Sequence, residues 1–320
     1  MAVSQPSVSV IMPVRNAALT LEKSVRSILN QTYPYIEGII LAIAPSDDAT
    51  ENIARNLQSI DTRIELVNNN LGETAIALNK AADVASGEYL VRVDSHCQIP
   101  PEYIANAIET IVRTGAGNVG GIQKAVGDQP FQQAVALAMS SRFGVGNSKF
   151  HYGGEEGPTD TVYLGVYDAN LFHSLGGFDE SLVRNQDYEL NIRIRRADRT
   201  IWFDPRLIVD YFPRSDLLGL SSQYFQYGKW KRRVILKNPR SIKVRQIIPP
   251  LMVLSLISSL ILSFSINYLF LIVPIFYLTT IFAACLSISG ATMRERLILA
   301  LIFPTMHLFW GMGFLFGKTR

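Results

Sequence analysis

The stretch "YLVRVDSHCQ", residues 89–98, runs from a short apolar segment into Asp94, one small residue and His96. Such a run, bounded by polar residues, reads as a buried strand. Side chains two apart in extended chain point the same way, so Asp94 and His96 can converge on one object where the strand leaves the core. A carboxylate oxygen and a neutral imidazole can both ligate Mg²⁺ or Mn²⁺, the carboxylate being the better match for a hard ion. A surface Asp beside a hydrogen-bonded His is the plain alternative, and the triplet alone does not separate the two.

Around this stretch, residues 7 to about 204 alternate β-rich runs with amphipathic helical ones, the pattern of a largely parallel sheet covered by helices. "SVSVIMPV", "IEGIILAIA", "RIELV", "EYLVRV" and "NVGGIQ" read as strands. Between them "LEKSVRSILNQ", "DDATENIARNLQ", "ETAIALNKAADVA" and "PEYIANAIETIVR" read as helices. Leu21, Val25, Ile28 and Leu29 share one face of the first helix, and Asp48 is placed to cap the second. In open α/β sheets ligands bind at the carboxyl ends of the strands, which is where Asp94 and His96 fall.

Beyond Arg245 the composition changes. A stretch of 45 residues from Gln246 to Gly290 carries no charge, and "LILALIFPTMHLFWGMGFLFG" follows Arg296. A hydrocarbon core needs about 20 apolar residues per helix, so the uncharged stretch splits near Asn267 into two spans. The last segment, with Pro304 and His307, is a third span or a re-entrant or interfacial piece. Lys229, Lys231, Arg232, Arg233, Lys237, Arg240, Lys243 and Arg245 precede the first span and belong on the cytoplasmic side by the positive-inside rule. The expected division is a catalytic domain over 1–240 and a membrane domain over 241–320 with two to three transmembrane helices.

The net charge of +3 comes from mixed residues without an extended basic tract, which argues against a nucleic-acid partner. Cys97 and Cys285 fit neither a zinc site nor a disulfide framework, so both are expected as reduced thiols. The first residues show no basic, apolar signal-peptide pattern, so the first domain is expected in the cytoplasm. His151 and His173 suggest no chemistry.

Several motifs together resemble the family 2 glycosyltransferases, inverting sugar-nucleotide enzymes with a GT-A fold. The opening "SVSVIMPVRNAALTLEKSVRSILNQTYP", the "GEYLVRVDSH" strand, "SLGGFDES", "NQDYELNIRIRR" and "QYGKW" carry the resemblance, which covers about residues 7 to 240. Within the family, "RVDSH", "GGEEGPTDTVYLG", "RNQDYELN" and "QYFQYGKW" look most like the membrane-associated succinoglycan-type glucosyltransferases, which extend lipid-linked glycans. The fold implied is α/β, a Rossmann-like GT-A domain followed by transmembrane helices.

The resemblance implies roles residue by residue. Pro13, Val14, Arg15 and Asn16 would form the turn against the nucleotide, with Asp48 matching the last acid of a donor-binding pattern. Asp94 and His96 would be the metal motif, D-S-H in place of D-x-D. Asp187 would be the base; by spacing alone it reads first as a helix cap or dipole-stabilising carboxylate, and Glu189 is its substitute. Gln226 and Lys229 would contact the diphosphate region and Trp230 the acceptor sugar, although a Trp and a Lys here can equally anchor the chain at a lipid surface. "YGGEEGPTDTVYLG" has the glycines of a mobile loop over a substrate, and Asp160 there is either an acceptor contact or a turn-forming acid.

Two departures stand out. Ile43 and Ala44 lie where the family carries acids for the uracil and ribose, and Gln186 replaces the Glu of its E-D pair. The expected reaction is inverting transfer of a hexose from a nucleotide-sugar donor, uridine-linked, to a polyprenyl-linked saccharide acceptor, with Mg²⁺ or Mn²⁺, at the cytoplasmic face of the cell membrane. Two rivals remain open at this point: a polyprenyl-phosphate glycosyl synthase, and a non-catalytic sugar-nucleotide-binding subunit of a glycan-assembly complex.

Overall fold

A computed structural model describes residues 5–318. Its strands are β1 (Val8–Val14), β2 (Ile36–Ile43), β3 (Ile64–Asn68), β4 (Tyr89–Arg92), β5 (Asn118–Ala125), β6 (Gly157–Thr159), β7 (Tyr163–Asp168) and β8 (Ile201–Tyr211). The helices are α1 (Leu21–Leu29), α2 (Thr50–Ile60), α3 (Thr74–Val84), α4 (Tyr103–Thr114), α5 (Pro130–Met139), α6 (Arg142–Val145), α7 (Lys149–Tyr152), α8 (Ala169–Ser174) and α9 (Gln186–Arg196). Four longer ones follow: α10 (Leu217–Lys237), α11 (Val244–Ser265), α12 (Ile272–Ser287) and α13 (Met293–Phe316). The chain divides into two compact units, a sheet unit up to Gln123 with Gly153–Tyr211, and a helical unit of Lys124–Tyr152 with Phe212 onward.

In the sheet unit the strands order as β3-β2-β1-β4-β7-β5-β8-β6. Pairings among β3, β2, β1 and β4 are parallel, but β7 runs antiparallel to both β4 and β5, and β6 to β8. The sheet is therefore mixed, parallel from β3 to β4 and with antiparallel pairings beyond. The stretch expected as a mobile loop supplies β6 and β7, because "TVYLGVYD" buries Leu164, Val166 and Tyr167 in the middle of the sheet.

Two apolar layers follow from strand alternation. Val8, Val10, Met12 and Val14 of β1 pack with α1, α2 and α4, while Ile11 packs on the opposite face with residues of α3, α8 and α9. The same parity on β4 puts Val91 in the first layer and Leu90 in the second. Arg92, two residues after Leu90, thus emerges on the face that carries α9. The strand order reverses between β1, which leads outward to β2 and β3, and β4, so the carboxyl ends of β1 and β4 flank the crevice where open sheets bind ligands.

In the helical unit, three segments are long and apolar enough to cross a membrane: Val244–Ser265, Tyr268–Ser287 and Met293–Phe316. The third is thus a helix of spanning length in spite of Pro304. Thr292 and Glu295 form a capping box at its start, satisfying amides that the first turn leaves open. Helix α10 packs lengthwise on α13. A Cβ at Gly228 would lie 1.9 Å from the Trp310 carbonyl oxygen, and one at Gly313 would lie 2.0 Å from that of Phe225. Glycine at these two positions lets the backbones touch, as small residues do where helices approach closely.

Candidate active site

The crevice of the sheet unit has two walls. One is built from the ends of β1 and β2. Pro13 and Val14 are the last residues of β1, with Val14 buried, and Arg15 and Asn16 are the exposed turn after it. Asn16 has a positive φ of 46°, which Asn tolerates better than most residues. Its amide donates to Ser46 Oγ at 3.0 Å, and its Oδ1 accepts from the Asp47 amide at 2.9 Å. Asp48 is not the cap residue proper, since Ala49 holds that position and α2 begins at Thr50. Its carboxylate instead accepts the Thr50 amide (3.0 Å) and hydroxyl (2.5 Å) and the Ala18 amide (3.1 Å). Those bonds, the Thr50 hydroxyl first, hold the Asp48 carboxyl below its ordinary range.

The other wall holds the candidate metal and base residues. After β4 the chain turns tightly, with the Cys97 amide donating to the Asp94 carbonyl at 2.9 Å. Ligand atoms of Asp94, His96 and Cys97 lie within 4.8 Å of one another. Cys97 is fully buried, its Sγ is 3.1 Å from the Tyr163 hydroxyl, and burial pushes its thiol up to about 12. A neutral thiol is a poor ligand for a hard cation, so the donor set reduces to the Asp94 carboxylate and the exposed His96 imidazole. That set fits Mg²⁺ or Mn²⁺, ions that fill their remaining positions with phosphate oxygens and water.

Asp187 lies in the first turn of α9, two residues past the true cap. The cap reading therefore fails: Asn185 occupies that position with φ 63° and makes no side-chain cap bond. The Asp187 carboxylate instead meets Arg92. The guanidinium donates from Nε to Asp94 Oδ1 at 2.9 Å and from Nη2 to Asp94 Oδ2 at 3.2 Å, and its Nη1 pairs with Asp187 Oδ1. Burial opposes the Asp94 charge, but Arg92, and after it His96, hold that carboxyl below its usual range. Burial also opposes the Arg92 charge, yet Asp187 and Asp94 together raise its pKa well above the ordinary value. The Asp187 side chain remains 34% exposed.

Glu189, the substitute base, is buried and clamped by Arg193 through Nε and Nη2. Arg193 also donates to the Leu175 and Gly177 carbonyls, so this pair fixes the "LGG" turn onto α9. Across that turn Asn79 pairs with both the amide and the carbonyl of Phe178. Asp160 lies in the short connection between β6 and β7.

Gln226, Lys229 and Trp230 belong to the helical unit, on α10. Trp230 is buried between cations, with Lys229 Nζ 5.7 Å and the Arg233 guanidinium 5.9 Å from its ring centre. Sequence reasoning gave no role to Arg92 or Arg193. The signal for Arg92 was a cation inside an apolar strand, in phase with Asp94.

A family model described as glycosyl transferase family 2 matches residues 9–173. The chain belongs to that family. It is 31% identical over 242 residues to the succinoglycan biosynthesis protein ExoA of Rhizobium meliloti, covering 75% of this chain and 73% of that one. It is 25% identical over 239 residues to a dolichyl N-acetyl-alpha-D-glucosaminyl phosphate 3-beta-D-2,3-diacetamido-2,3-dideoxy-beta-D-glucuronosyltransferase of Methanococcus voltae, covering 72% and 74%. In fold it is similar to the mannosyltransferase PcManGT from Pyrobaculum calidifontis, solved with GDP-Man and Mn²⁺. That match has a TM-score of 0.63 and 19% identity and covers 96% of this chain and 86% of that one. The protein is thus a glycosyltransferase with a GT-A-like sheet and three helices of membrane-spanning length.

Proposed function

We propose that the protein transfers a hexose, with inversion, from a uridine-diphosphate sugar to a polyprenyl-linked saccharide at the cytoplasmic face of the cell membrane. The observation that carries this reading is the convergence of Asp94, His96 and Asp187 on one wall of the crevice, joined through Arg92. Asp94 and His96 are placed to hold the cation, which when bound supplies Lewis-acid charge against the departing diphosphate. Arg15 and Asn16, at the end of β1, are placed to face the nucleotide on the opposite wall.

Asp187 is the base. Arg92 occupies its Oδ1, and the exposed remainder of the carboxylate is left for an acceptor hydroxyl. The acceptor oxygen attacks the anomeric carbon while the bond from that carbon to the diphosphate oxygen breaks. Its electron pair leaves with the diphosphate, and the hydroxyl proton passes to Asp187. A lipid-borne acceptor accords with three spanning helices, with the basic residues before the first of them, and with the lipid-linked saccharide in the name of the Methanococcus voltae relative. On α10, Gln226 and Lys229 would contact the diphosphate region and Trp230 the acceptor sugar, with Asp160 at an acceptor hydroxyl.

The test is release of nucleoside diphosphate by the detergent-solubilised protein, with a panel of sugar nucleotides, a lipid extract as acceptor, and Mn²⁺ or Mg²⁺ against a chelator. Release that needs metal and lipid and vanishes in Asp187→Asn supports the reading and names the donor. A product carrying one sugar directly on the lipid phosphate would replace it with the lipid-phosphate synthase. No release with any donor from a folded protein would replace it with the non-catalytic subunit.

A further inference from the structure

Two carboxylates on different elements, one after β4 and one in the first turn of α9, share a single buried guanidinium. We infer that Arg92 is a positioning residue that couples the cation-holding Asp94 to the base Asp187, so that occupancy of one changes the hold on the other. The inference rests on the proposed transferase reading for the roles of the two acids.

The geometry is that of a divided fork. The Nε and Nη2 edge of Arg92 takes both oxygens of Asp94, and Nη1 alone takes Asp187. The planar guanidinium offers its two partners separate edges in a fixed fork, whereas a lysine ammonium is a compact point charge with rotatable donors. Buried with 8% of its side chain exposed, Arg92 neutralises one of two carboxylates that would otherwise repel in a poorly solvated site. Its positive charge stands against Asp94, on the same oxygens a cation needs. Asp94 therefore gives up part of its bond to Arg92 when it ligates Mn²⁺, and the guanidinium is left to grip Asp187 more firmly. By reciprocity, whatever holds Arg92 on Asp187 makes Asp94 a better ligand.

Direct Mn²⁺ binding to the full-length protein in detergent, followed by the electron paramagnetic resonance of the free ion without any sugar nucleotide, reads this coupling apart from turnover. Arg92→Met is expected to bind Mn²⁺ about fivefold more tightly than wild type, the low end of typical coupling, while kcat falls about 100-fold. A residue that merely held Asp94 in place would weaken Mn²⁺ when removed. Asp187→Asn leaves the guanidinium wholly on Asp94 and should weaken Mn²⁺ binding. That effect should shrink at least about threefold in the Arg92→Met background if the sites are coupled. Arg92→Lys should restore wild-type Mn²⁺ affinity but not kcat, and if Arg92→Met does not fold, the lysine variant is the background in which the coupling must shrink.

Weaker Mn²⁺ binding in Arg92→Met, the same Asp187→Asn factor in both backgrounds, or no Mn²⁺ binding by wild type overturns the inference. A coupled cycle with no transfer from any sugar nucleotide would sink the transferase reading and leave the link standing. Transfer with an uncoupled cycle would do the reverse.

Discussion

The two units bury opposite things. In the sheet unit charge goes inward: Arg92, Asp94, Glu189 and the fully buried Asp204 are each paired inside or beside an apolar core. In the helical unit apolar side chains face outward, Phe264 at 91% and Phe276 at 72% exposure, and helices meet backbone to backbone at glycine. An exposed apolar surface of that extent is at rest in hydrocarbon, not in water. Stability in the first unit therefore depends on satisfied charge and packed side chains, and in the second on close approach. Substitutions that exchange the two principles should fail in different assays.

The largest effect belongs to the charge network. Asp187→Asn should reduce turnover about 10² to 10⁴-fold, the usual worth of a positioned base, while thermal unfolding hardly moves, because Arg92 keeps Asp94. A drop in turnover matched by a collapse of the melting temperature would make Asp187 a structural acid. Next comes Asp204, which accepts from the Thr110 hydroxyl of α4 at 2.6 Å and pairs with Arg206 on its own strand β8. Asp204→Ala takes the buried carboxylate from Thr110 and Arg206, leaving Arg206 with Glu109 and the Thr110 hydroxyl, and should destabilise the sheet unit by about 3 kcal/mol, at the low end for a broken buried pair because Arg206 is partly in water. Urea unfolding followed by tryptophan fluorescence checks it, and a change below 1 kcal/mol would remove charge burial as the support of β8.

The helical unit should answer to volume instead. Gly228→Ala puts a methyl where the Trp310 carbonyl stands, and no rotamer can relieve a contact with backbone. Separation of α10 from α13 is expected to cost about 1–3 kcal/mol, seen as a lower melting temperature in detergent. An unchanged melting temperature would mean that these helices are not held by close approach.

How far the sequence alone reaches follows the same division. Period-two alternation and helical spacing are local, so the strands up to β5, the helices between them and the Asp94–His96 pair were legible. The Arg92 bond to Asp187 closes over 95 residues, and no spacing rule reports it. β6 and β7 were hidden because glycine and proline at 153–158 read as loop, while their burial comes from strands distant in sequence. Asp187 read as a cap because nothing in "VRNQD" announces that Asn185 takes the left-handed conformation and starts the helix two residues earlier. On α10, charges and aromatics masked the glycine that sets its packing on α13.

The smallest effect tests whether the helical unit tolerates a charge at His151. His151 on α7 has a buried Nδ1 with no hydrogen-bond partner, and burial, with the nearby Arg245 cation second, brings its pKa down to about 3. An unfolded histidine titrates near 6.5, so between those values the unfolded chain binds a proton that the folded one refuses. The sign follows from linkage: stability is full above the unfolded pKa and falls as pH drops toward the folded one, by at most about 1.4 kcal/mol per pH unit. Melting temperatures in detergent between pH 7.5 and pH 4.5 should therefore decline more steeply for wild type than for His151→Phe, which keeps a ring beside Phe150 and removes the proton site. Parallel pH profiles for the two proteins would mean that His151 takes up its proton without unfolding, and that its surroundings have room for a charge.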